Sequence, residues 1–434
     1  MAAHSATASL QRRTLGVFTT NIVVLGIGYV ASILLARFLG ADGRGLVAVI
    51  QTGTSVLAGI GGIGTQHAAT YYASRRSRRR GAVLGNGIAH ASVLLVVSVA
   101  IAFVAMGQLQ RHVAPAYDER IWLLAALLVP TFYLDVLVSN LLSAQSSFTL
   151  RNRLSIAGRI TTAVATVAIV GWLGWGVAGA LLATAPTLLV PTMGGLRVLA
   201  RNGISLSRPV QAASLRYGAR IQVGAMLNLL NARFDVLVLS AFVPLATVGS
   251  YAIAQIVAEL VLLFPNAMGY VLRAQVASGK ARDDSLSGAA LRLNGTLVAG
   301  CVLAVFAVGP PMILYGFGPG FHSALVPFLI LLPGMWFLAA GGLVEDALAG
   351  RGRPGLSSIL AGVEVAITIG LDLLLIPRYG AIGGAIASVC AYAFYGTASI
   401  ITVARLDGVR ARTLLFANRD ELRELVRALR ARGR

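Results

Sequence analysis

Long apolar segments recur along the whole of this 434-residue chain, and they constrain its fold more than any other feature. Each is about 20 residues long, the length of helix that crosses the hydrocarbon layer of a membrane. Only 12% of the residues are charged, about half the share that covers a soluble domain. Because a backbone in lipid must satisfy its own hydrogen bonds, we predict an all-α polytopic membrane protein.

The apolar segments predict about twelve membrane-spanning helices. Their bounds are approximately 15–38, 45–73, 82–106, 121–144, 154–173, 177–200, 219–243, 247–272, 290–316, 324–349, 355–377 and 381–404. With the N-terminus inside, most of the 36 basic residues border inner loops or termini, and RRSRRR at 75–80 is the densest group. This positive-inside bias predicts cytoplasmic N- and C-termini, which we place in a bacterial plasma membrane without a cleaved signal peptide. The formal charge of +20 therefore reflects topology, and we expect no binding to nucleic acid.

The last segment, 407–434, has a different pattern. Leucine and valine recur at helical spacing on one face, and arginines occupy another. Asn418 followed by Glu421 resembles a capping box, which marks the start of a helix. We predict a cytoplasmic basic amphipathic helix that lies on the anionic inner leaflet, with a merely solvated helix end as the alternative.

Three pairs of segments indicate an internal duplication. GLVAVIQ at 45–51 matches GSYAIAQ, and WGVAGALLA at 175–183 matches YGAIGGAIA, each partner lying 204 residues further on. PTFYLDVLVSNLLSA at 130–144 aligns with PGMWFLAAGGLVEDA at an offset of 203. We predict two parallel-repeat lobes of six helices, 1–204 and 205–406, with a substrate cavity between them.

Several motifs resemble one family of transporters. They are SILLARFLGADGRGLVAVI (32–50), FDVLVLSAFV (234–243), VGSYAIAQ (248–255), LLPGMW (331–336), GRGRP (350–354) and IPRYGAIGGAIAS (376–388). In this order they are similar to polysaccharide-biosynthesis (Wzx-like) flippases of the multidrug/oligosaccharidyl-lipid/polysaccharide (MOP) exporter superfamily. The resemblance implies two six-helix lobes around a central cavity. It also implies movement of a polyprenyl-pyrophosphate-linked oligosaccharide from the inner to the outer leaflet by alternating access, with the glycosyltransferases or polymerase of the same pathway as partners.

Such a cargo carries a charged headgroup that cannot cross hydrocarbon without replacement partners. Arginine suits phosphate because its planar fork makes paired, charge-assisted hydrogen bonds. Arg233 lies midway along a predicted span, where a charge costs roughly 2.5–3.5 kcal/mol. Asn228, Asn231 and Asp235 form a polar stripe beside it. We predict that these four residues line the cavity; a structural ion pair of Arg233 with another span is the alternative.

Further polar residues are candidates for the same pathway. Arg37 lines the cavity or extends to the membrane interface. Gln51 and Gln255 occupy equivalent positions of the two repeats. They face each other as headgroup donors, or they make helix–helix hydrogen bonds.

Deep carboxylates are candidates for ion coupling. Glu259, Asp135 and Asp372 are the residues that we select to bind a cation or a proton. A neutral, hydrogen-bonded structural role is the alternative for each, since burial raises the pKa of a carboxyl group.

Other functional classes fit the sequence less well. A lipid II flippase and a multidrug and toxin extrusion (MATE) cation antiporter share the superfamily and stay as alternatives, although a cationic drug favours an acidic cavity. The longest predicted outer loop, 107–120, is too short for the catalytic groups of a membrane enzyme. Neither a nucleotide-binding P-loop nor metal-ligand spacing is present. We therefore expect no enzymatic activity, no cofactor and no metal.

Overall fold

The computed structural model describes residues 2–75, 80–113, 115, 117–145, 147–263, 284–351, 353–418 and 421. This part of the chain is almost entirely helical and contains no β-strand. Its α-helices, in chain order, are α1 (Ala2–Gly62), α2 (Thr65–Arg75), α3 (Arg80–His112), α4 (Arg120–Ala144), α5 (Phe148–Ala165), α6 (Gly176–Thr184), α7 (Pro186–Leu199), α8 (Arg208–Phe242), α9 (Leu245–Ala258), α10 (Asp284–Pro311), α11 (Leu325–Gly350) and α12 (Pro354–Leu406). Short π-helical segments follow α5 and α10, and 3-10 segments follow α7 and α9.

Two of the longest helices are broken at a glycine. In α1 the break is Gly40, with φ 69° and ψ −174°; in α12 it is Gly380, with φ 55° and ψ −133°. Both lie in the positive-φ region that favours glycine. An unbroken helix of 53 residues would be about 80 Å long, far beyond a hydrocarbon layer of about 30 Å. The breaks coincide with the loops that the sequence places between 38 and 45 and between 377 and 381.

The helices confirm the predicted polytopic membrane protein. Nine helices of the described residues are long and apolar enough to cross a membrane, or ten if α1 and α2 together form one bent span. The number of twelve spans and the arrangement in two six-helix lobes stay predictions.

The chain forms two compact units that are divided between Gly249 and Ser250. In the first unit, one core cluster surrounds Leu46 and Leu181, and a second surrounds Leu137. In the second unit, α11, α12 and the 3-10 segment Ala411–Leu414 enclose a cluster around Val403. The predicted lobe boundary after residue 204 stays a prediction.

A close helix contact in the first unit joins equivalent glycines of the two predicted repeats. A Cβ atom on Gly45 would lie 1.9 Å from the carbonyl oxygen of Leu245. A Cβ atom on Gly249 would lie 2.1 Å from the carbonyl oxygen of Ala41. Leu245 and Gly249 follow Ala41 and Gly45 at the offset of 204 residues, so the contact is reciprocal. The reciprocity supports the predicted duplication.

A second pair of equivalent glycines shares a backbone conformation. Gly176 begins α6 and Gly380 breaks α12, and both have φ 55°. They are related by the same offset, within the motifs WGVAGALLA and YGAIGGAIA. The shared φ value supports the predicted repeat, which stays a prediction.

The segment after α7 packs along α3. A Cβ atom on Gly85 would lie 2.2 Å from the carbonyl oxygen of Ser205. Asn86 next to it makes two hydrogen bonds with the backbone of Ser207: Nδ2 donates to the carbonyl oxygen at 2.9 Å, and Oδ1 accepts from the N–H at 3.0 Å. This segment is thereby fixed at the end of the first six predicted spans.

The segment after α12 packs along α10 in the same way. A Cβ atom on Gly295 would lie 1.9 Å from the carbonyl oxygen of Leu415, and the N–H of Ala417 donates to Oγ1 of Thr296 at 2.8 Å. Beyond it, the N–H of Asn418 donates to Oε2 of Glu421 at 2.9 Å, the geometry of the predicted capping box. The rest of the predicted amphipathic helix, 419–420 and 422–434, lies outside the described residues.

Candidate functional site

Two arginines lie close together in the first unit, on α1 and α8. Arg44 follows the break of α1, and only 6% of its surface is exposed. Its positive charge is close enough to Arg233 on α8 for the two to repel each other. Nε and Nη1 of Arg44 are buried and have no hydrogen-bond partner among the described residues. Buried polar groups are normally hydrogen-bonded, so two unpartnered guanidinium nitrogens beside a like charge indicate a place for an anion.

The polar stripe predicted beside Arg233 lies on α8, but its members differ in burial. Asp235 is 1% exposed, and its Oδ1 accepts a hydrogen bond from the N–H of Val236 at 2.7 Å. Asn231 and Arg233 are half-buried. Asn228 is exposed, and its Nδ2 donates to the carbonyl oxygen of Gly224 at 3.1 Å. Of this set, Arg233 is the residue that the structure brings next to a second cation.

The other predicted cavity residues of the first unit are both on α1. Arg37 is exposed and lies before the break at Gly40. Gln51 is half-buried and lies beyond it. Their assignment to the cavity stays a prediction.

Three further candidates belong to the second unit. Gln255 on α9 is buried, and Glu259 begins the 3-10 segment Glu259–Leu262. Asp372 is fully buried in α12. The facing of Gln51 and Gln255 and the coupling roles of Glu259 and Asp372 stay predictions.

Asp135 has two cationic neighbours that the sequence analysis did not assign to it. It lies on α4 and interacts electrostatically with Arg159 and Arg151 of α5. Nη1 of Arg159 is also 3.6 Å from the position that a Cβ atom on Gly28 would take. The group therefore joins α1, α4 and α5, and it carries a net positive charge. A structural ion pair is thus a concrete alternative to the predicted coupling role of Asp135.

Arg44 and Arg159 are two charged residues that the sequence did not single out. Arg44 follows Gly40, Asp42 and Gly43, so its local sequence is typical of a loop border. Arg159 lies on α5 with Arg151 and Arg153, so the sequence gives it the pattern of inner-side charge. The sequence signal at Arg44 is its position one residue before Gly45, which opens a repeated motif.

No metal centre is apparent in the part of the chain that the structure covers. Within it, no group of three or more histidine, cysteine, aspartate or glutamate side chains could hold a metal ion.

Comparison with known families identifies the chain. Residues 10–272 match the family described as "Polysaccharide biosynthesis protein". This chain belongs to that family. The match covers more than half of the protein and includes Arg37, Arg44 and Arg233, and it confirms the resemblance noted in the sequence.

Two relatives are archaeal. A probable low-salt glycan biosynthesis flippase of Haloferax volcanii is 22% identical over 403 residues, which are 88% of this chain and 81% of that protein. An uncharacterized membrane protein of Methanocaldococcus jannaschii is 26% identical over 199 residues. The second match spans 44% of this chain and 39% of the relative, so the chain spans well under two thirds of that relative's length.

Solved structures share the fold. The lipid II flippase MurJ in an inward closed conformation superposes with a TM-score of 0.73 at 13% identity, over 93% of this chain and 89% of that chain. A MATE family multidrug transporter in an inward-facing conformation gives a TM-score of 0.65 at 16% identity, over 88% and 96%. A MOP superfamily transporter from Pyrococcus furiosus, for which reverse polarity of the binding pocket suggests a different function, gives 0.61 at 15% identity, over 93% and 96%. The fold is therefore that of the MOP superfamily.

Proposed function

We propose that this protein is a flippase that moves a lipid-linked oligosaccharide from the cytoplasmic to the outer leaflet by alternating access. Its family and the glycan flippase of Haloferax volcanii support a glycan cargo. The fold shared with MurJ supports movement of a lipid with a large polar headgroup. The polyprenyl-pyrophosphate carrier is part of the proposal.

The main support for the proposal is that Arg44 and Arg233 lie close enough to repel each other. The buried guanidinium of Arg44 is disfavoured by burial and by the like charge of Arg233. A pyrophosphate brings two or more negative charges and oxygen acceptors with the geometry of the guanidinium fork. Binding the headgroup would relieve the repulsion and satisfy Nε and Nη1 of Arg44. The lipid tail can stay in the bilayer while the headgroup moves.

The same pair favours an anionic cargo over the cationic drugs of a MATE-type antiporter. A cation placed beside Arg44 and Arg233 would add to the repulsion instead of relieving it. The pair does not separate a glycan carrier from lipid II, because both headgroups contain pyrophosphate. A lipid II flippase therefore stays the second candidate, and a substrate comparison in the assay below decides between the two.

The proposal includes location, orientation and partners. The protein is a multi-pass membrane protein; a bacterial plasma membrane with both termini in the cytoplasm is the orientation that the basic loops favour. Glycosyltransferases or a polymerase of the same pathway would supply and consume the cargo. The segment beyond Glu421 would bind anionic inner-leaflet lipids. Transport changes no covalent bond, so the protein would act without enzymatic chemistry.

The test is a flipping assay in proteoliposomes. A fluorescently labelled polyprenyl-pyrophosphate oligosaccharide is incorporated, and a membrane-impermeant quencher reports how fast it changes leaflet. Each of Arg44→Gln and Arg233→Gln should lower the initial rate at least about tenfold. A charge-assisted hydrogen bond contributes about 1.5–3 kcal/mol, and about 1.4 kcal/mol corresponds to a factor of ten.

The matched control is Arg111→Gln, which removes an exposed arginine at the end of α3. It should flip the lipid at the wild-type rate. A double variant of Arg44 and Arg233 that reaches the membrane and flips the lipid at the wild-type rate would remove the basis for the site. Faster flipping of labelled lipid II than of the oligosaccharide carrier would favour the second candidate.

A further inference from the structure

The polypeptide is broken a second time where α1 meets α2. The helices Gly26–Gly62 and Thr65–Ser74 are bent by 55°. Between them, Ile63 has φ 47° and Gly64 has φ 71°. A β-branched residue at positive φ is a steric outlier, and such residues concentrate at functional sites. The surrounding packing must therefore hold this break in place.

Three side chains donate hydrogen bonds to the carbonyl groups that end α1. Gln222 Nε2 of α8 donates to the carbonyl oxygen of Gly59 at 2.8 Å. His90 Nε2 of α3 is 2.8 Å from the carbonyl oxygen of Gly61, and the ring nitrogen must be the donor there. The Oγ1 atom of Thr65 donates to the carbonyl oxygen of Gly62 at 2.9 Å. The end of α1 is thus a set of ordered carbonyls, and the C-terminus of a helix carries partial negative charge.

Two amide oxygens of side chains next to this helix end have no hydrogen-bond partner among the described residues. Gln66 is 4% exposed, and its Oε1 is buried without a hydrogen-bond partner among the described residues. The same holds for Oε1 of Gln222. A Cβ atom on Gly62 would lie only 2.5 Å from Oε1 of Gln66, so the glycine makes room for the amide.

The chemistry of these groups restricts what the site can hold. Carbonyl, amide and hydroxyl oxygens surround the break, with Tyr133 OH 2.8 Å from Oγ1 of Thr65. An anion would meet oxygen lone pairs and the negative end of a helix. Divalent cations are normally bound with carboxylates, and the groups named here include none. Unwound carbonyls and half-helix C-termini do coordinate Na⁺ in transporters.

We propose that the break at Ile63–Gly64 binds a monovalent alkali cation, with the amide oxygen of Gln66 as its main side-chain ligand. Gln222 and the carbonyls that end α1 complete the shell. The site is separate from the arginine pair, because Arg44 and Gly59 are about 22 Å apart along α1. The proposed cation binding is independent of the proposed flippase function. Since the ligands come from α1, α2 and α8, an occupied site would couple a cation to the bend between α1 and α2.

The test is thermal unfolding of the purified full-length protein in an uncharged detergent. Chlorides of Na⁺, K⁺ and N-methylglucamine are compared at equal ionic strength. A cation that binds only the folded protein raises its melting temperature with the logarithm of concentration. We expect Na⁺ or K⁺ to raise it and N-methylglucamine to leave it unchanged.

Three variants identify the ligand. Gln66→Met removes the amide oxygen without adding charge. It should raise the cation concentration that half-saturates the melting-temperature shift at least about tenfold. Gln66→Glu adds a charged ligand and should lower it about tenfold. Gln108→Met, at an exposed position of α3, should match the wild type.

Two results would overturn the proposal. Equal melting temperatures of the wild type in all three salts would mean that the break holds a water molecule or nothing. A cation-dependent shift that both Gln66 variants leave at its wild-type midpoint would place the ion elsewhere. If Gln66→Met does not fold, the wild-type salt series and Gln66→Glu still test whether the break binds a cation. The readout involves no transport, so its failure would leave the proposed flippase function standing.

Discussion

The contact between Gly45 and Leu245 allows a quantitative test of the predicted duplication. We consider Gly45→Ala, which adds a single methyl group. The new Cβ atom would lie 1.9 Å from a backbone oxygen, whereas an ordinary contact begins near 3.4 Å. The helices must therefore separate locally by roughly 1.5 Å, because a backbone carbonyl cannot rotate away as a side chain can.

The expected cost follows from two opposing effects. Overpacking of this kind costs about 1–3 kcal/mol. Replacing glycine with alanine inside a helix contributes about 0.5–1 kcal/mol in the other direction. We expect a net loss of about 1–2 kcal/mol in the free energy of unfolding. Gly53→Ala is the control on the same helix, since nothing lies within 4 Å of its added Cβ atom, and it should be neutral or stabilising.

The duplication makes a stronger prediction for Gly249→Ala. Its Cβ atom would lie 2.1 Å from the carbonyl oxygen of Ala41, so its cost should match that of Gly45→Ala. Once one methyl group has separated the helices, the second needs little more room. The double variant should therefore lose clearly less than the sum of the two single losses, as expected for residues in contact.

The assay is unfolding in mixed micelles by titration with sodium dodecyl sulfate, followed by tryptophan fluorescence. The three variants and Gly53→Ala are compared with the wild type. If Gly45→Ala unfolds at the same detergent fraction as Gly53→Ala, the close contact is absent. If the two glycine substitutions are fully additive, the contact is not shared between them.

Three further predictions concern other parts of the chain. Arg44→Gln should raise the melting temperature in detergent while it slows lipid flipping, because it removes a buried charge beside the like charge of Arg233 at the cost of the binding site. Gly176→Ala and Gly380→Ala should each lower the free energy of unfolding by about 1–2 kcal/mol in a denaturant titration, since both have positive φ. A hydrogen bond from Arg292 holds the pKa of Glu421 below its ordinary value of 4.5, so the ion pair should stabilise the docked C-terminal segment at neutral pH and be lost as the pH falls below that value. Hydrogen-exchange protection factors of that segment measure this last effect.

A specific result would contradict each of these predictions. A less stable Arg44→Gln protein would mean that the arginine supports the fold. Unequal costs for the two positive-φ glycines would weaken the structural equivalence of the repeats. Protection of the C-terminal segment that is unchanged between neutral and acidic pH would show that the Arg292–Glu421 ion pair does not hold it, and Glu421→Gln should abolish any dependence that is seen.

The residues near the helix breaks show how far sequence reasoning reaches. The loops predicted around Gly40 and Gly380 are present as glycine breaks because glycine at an interruption of an apolar run is a local signal. The break at Ile63–Gly64 was not predicted, since GIGGIG lies inside a run that is apolar throughout. Its cause is not local: a Cβ atom on Gly64 would lie 2.1 Å from the carbonyl oxygen of Gly218, on a helix about 150 residues further along the chain.

The same contrast applies to the charged residues. Arg233 was selected from the sequence because a charge in the middle of an apolar segment is visible there. Its neighbour Arg44 was not selected, because burial and proximity are set by the packing of α1 against α8. Likewise, the arginines beside Asp135 come from a different helix.

The sequence by itself determined that this chain is an α-helical membrane protein, where most of its helices begin and end, and which family it resembles. These properties follow from hydropathy and from glycine and proline positions, which act over about 20 residues. Only the tertiary structure decided which polar groups meet: the two arginines, the reciprocal glycine contact, and the carbonyls and amides around Ile63–Gly64. Those contacts join residues far apart in the chain, and side-chain packing, not local propensity, selects them.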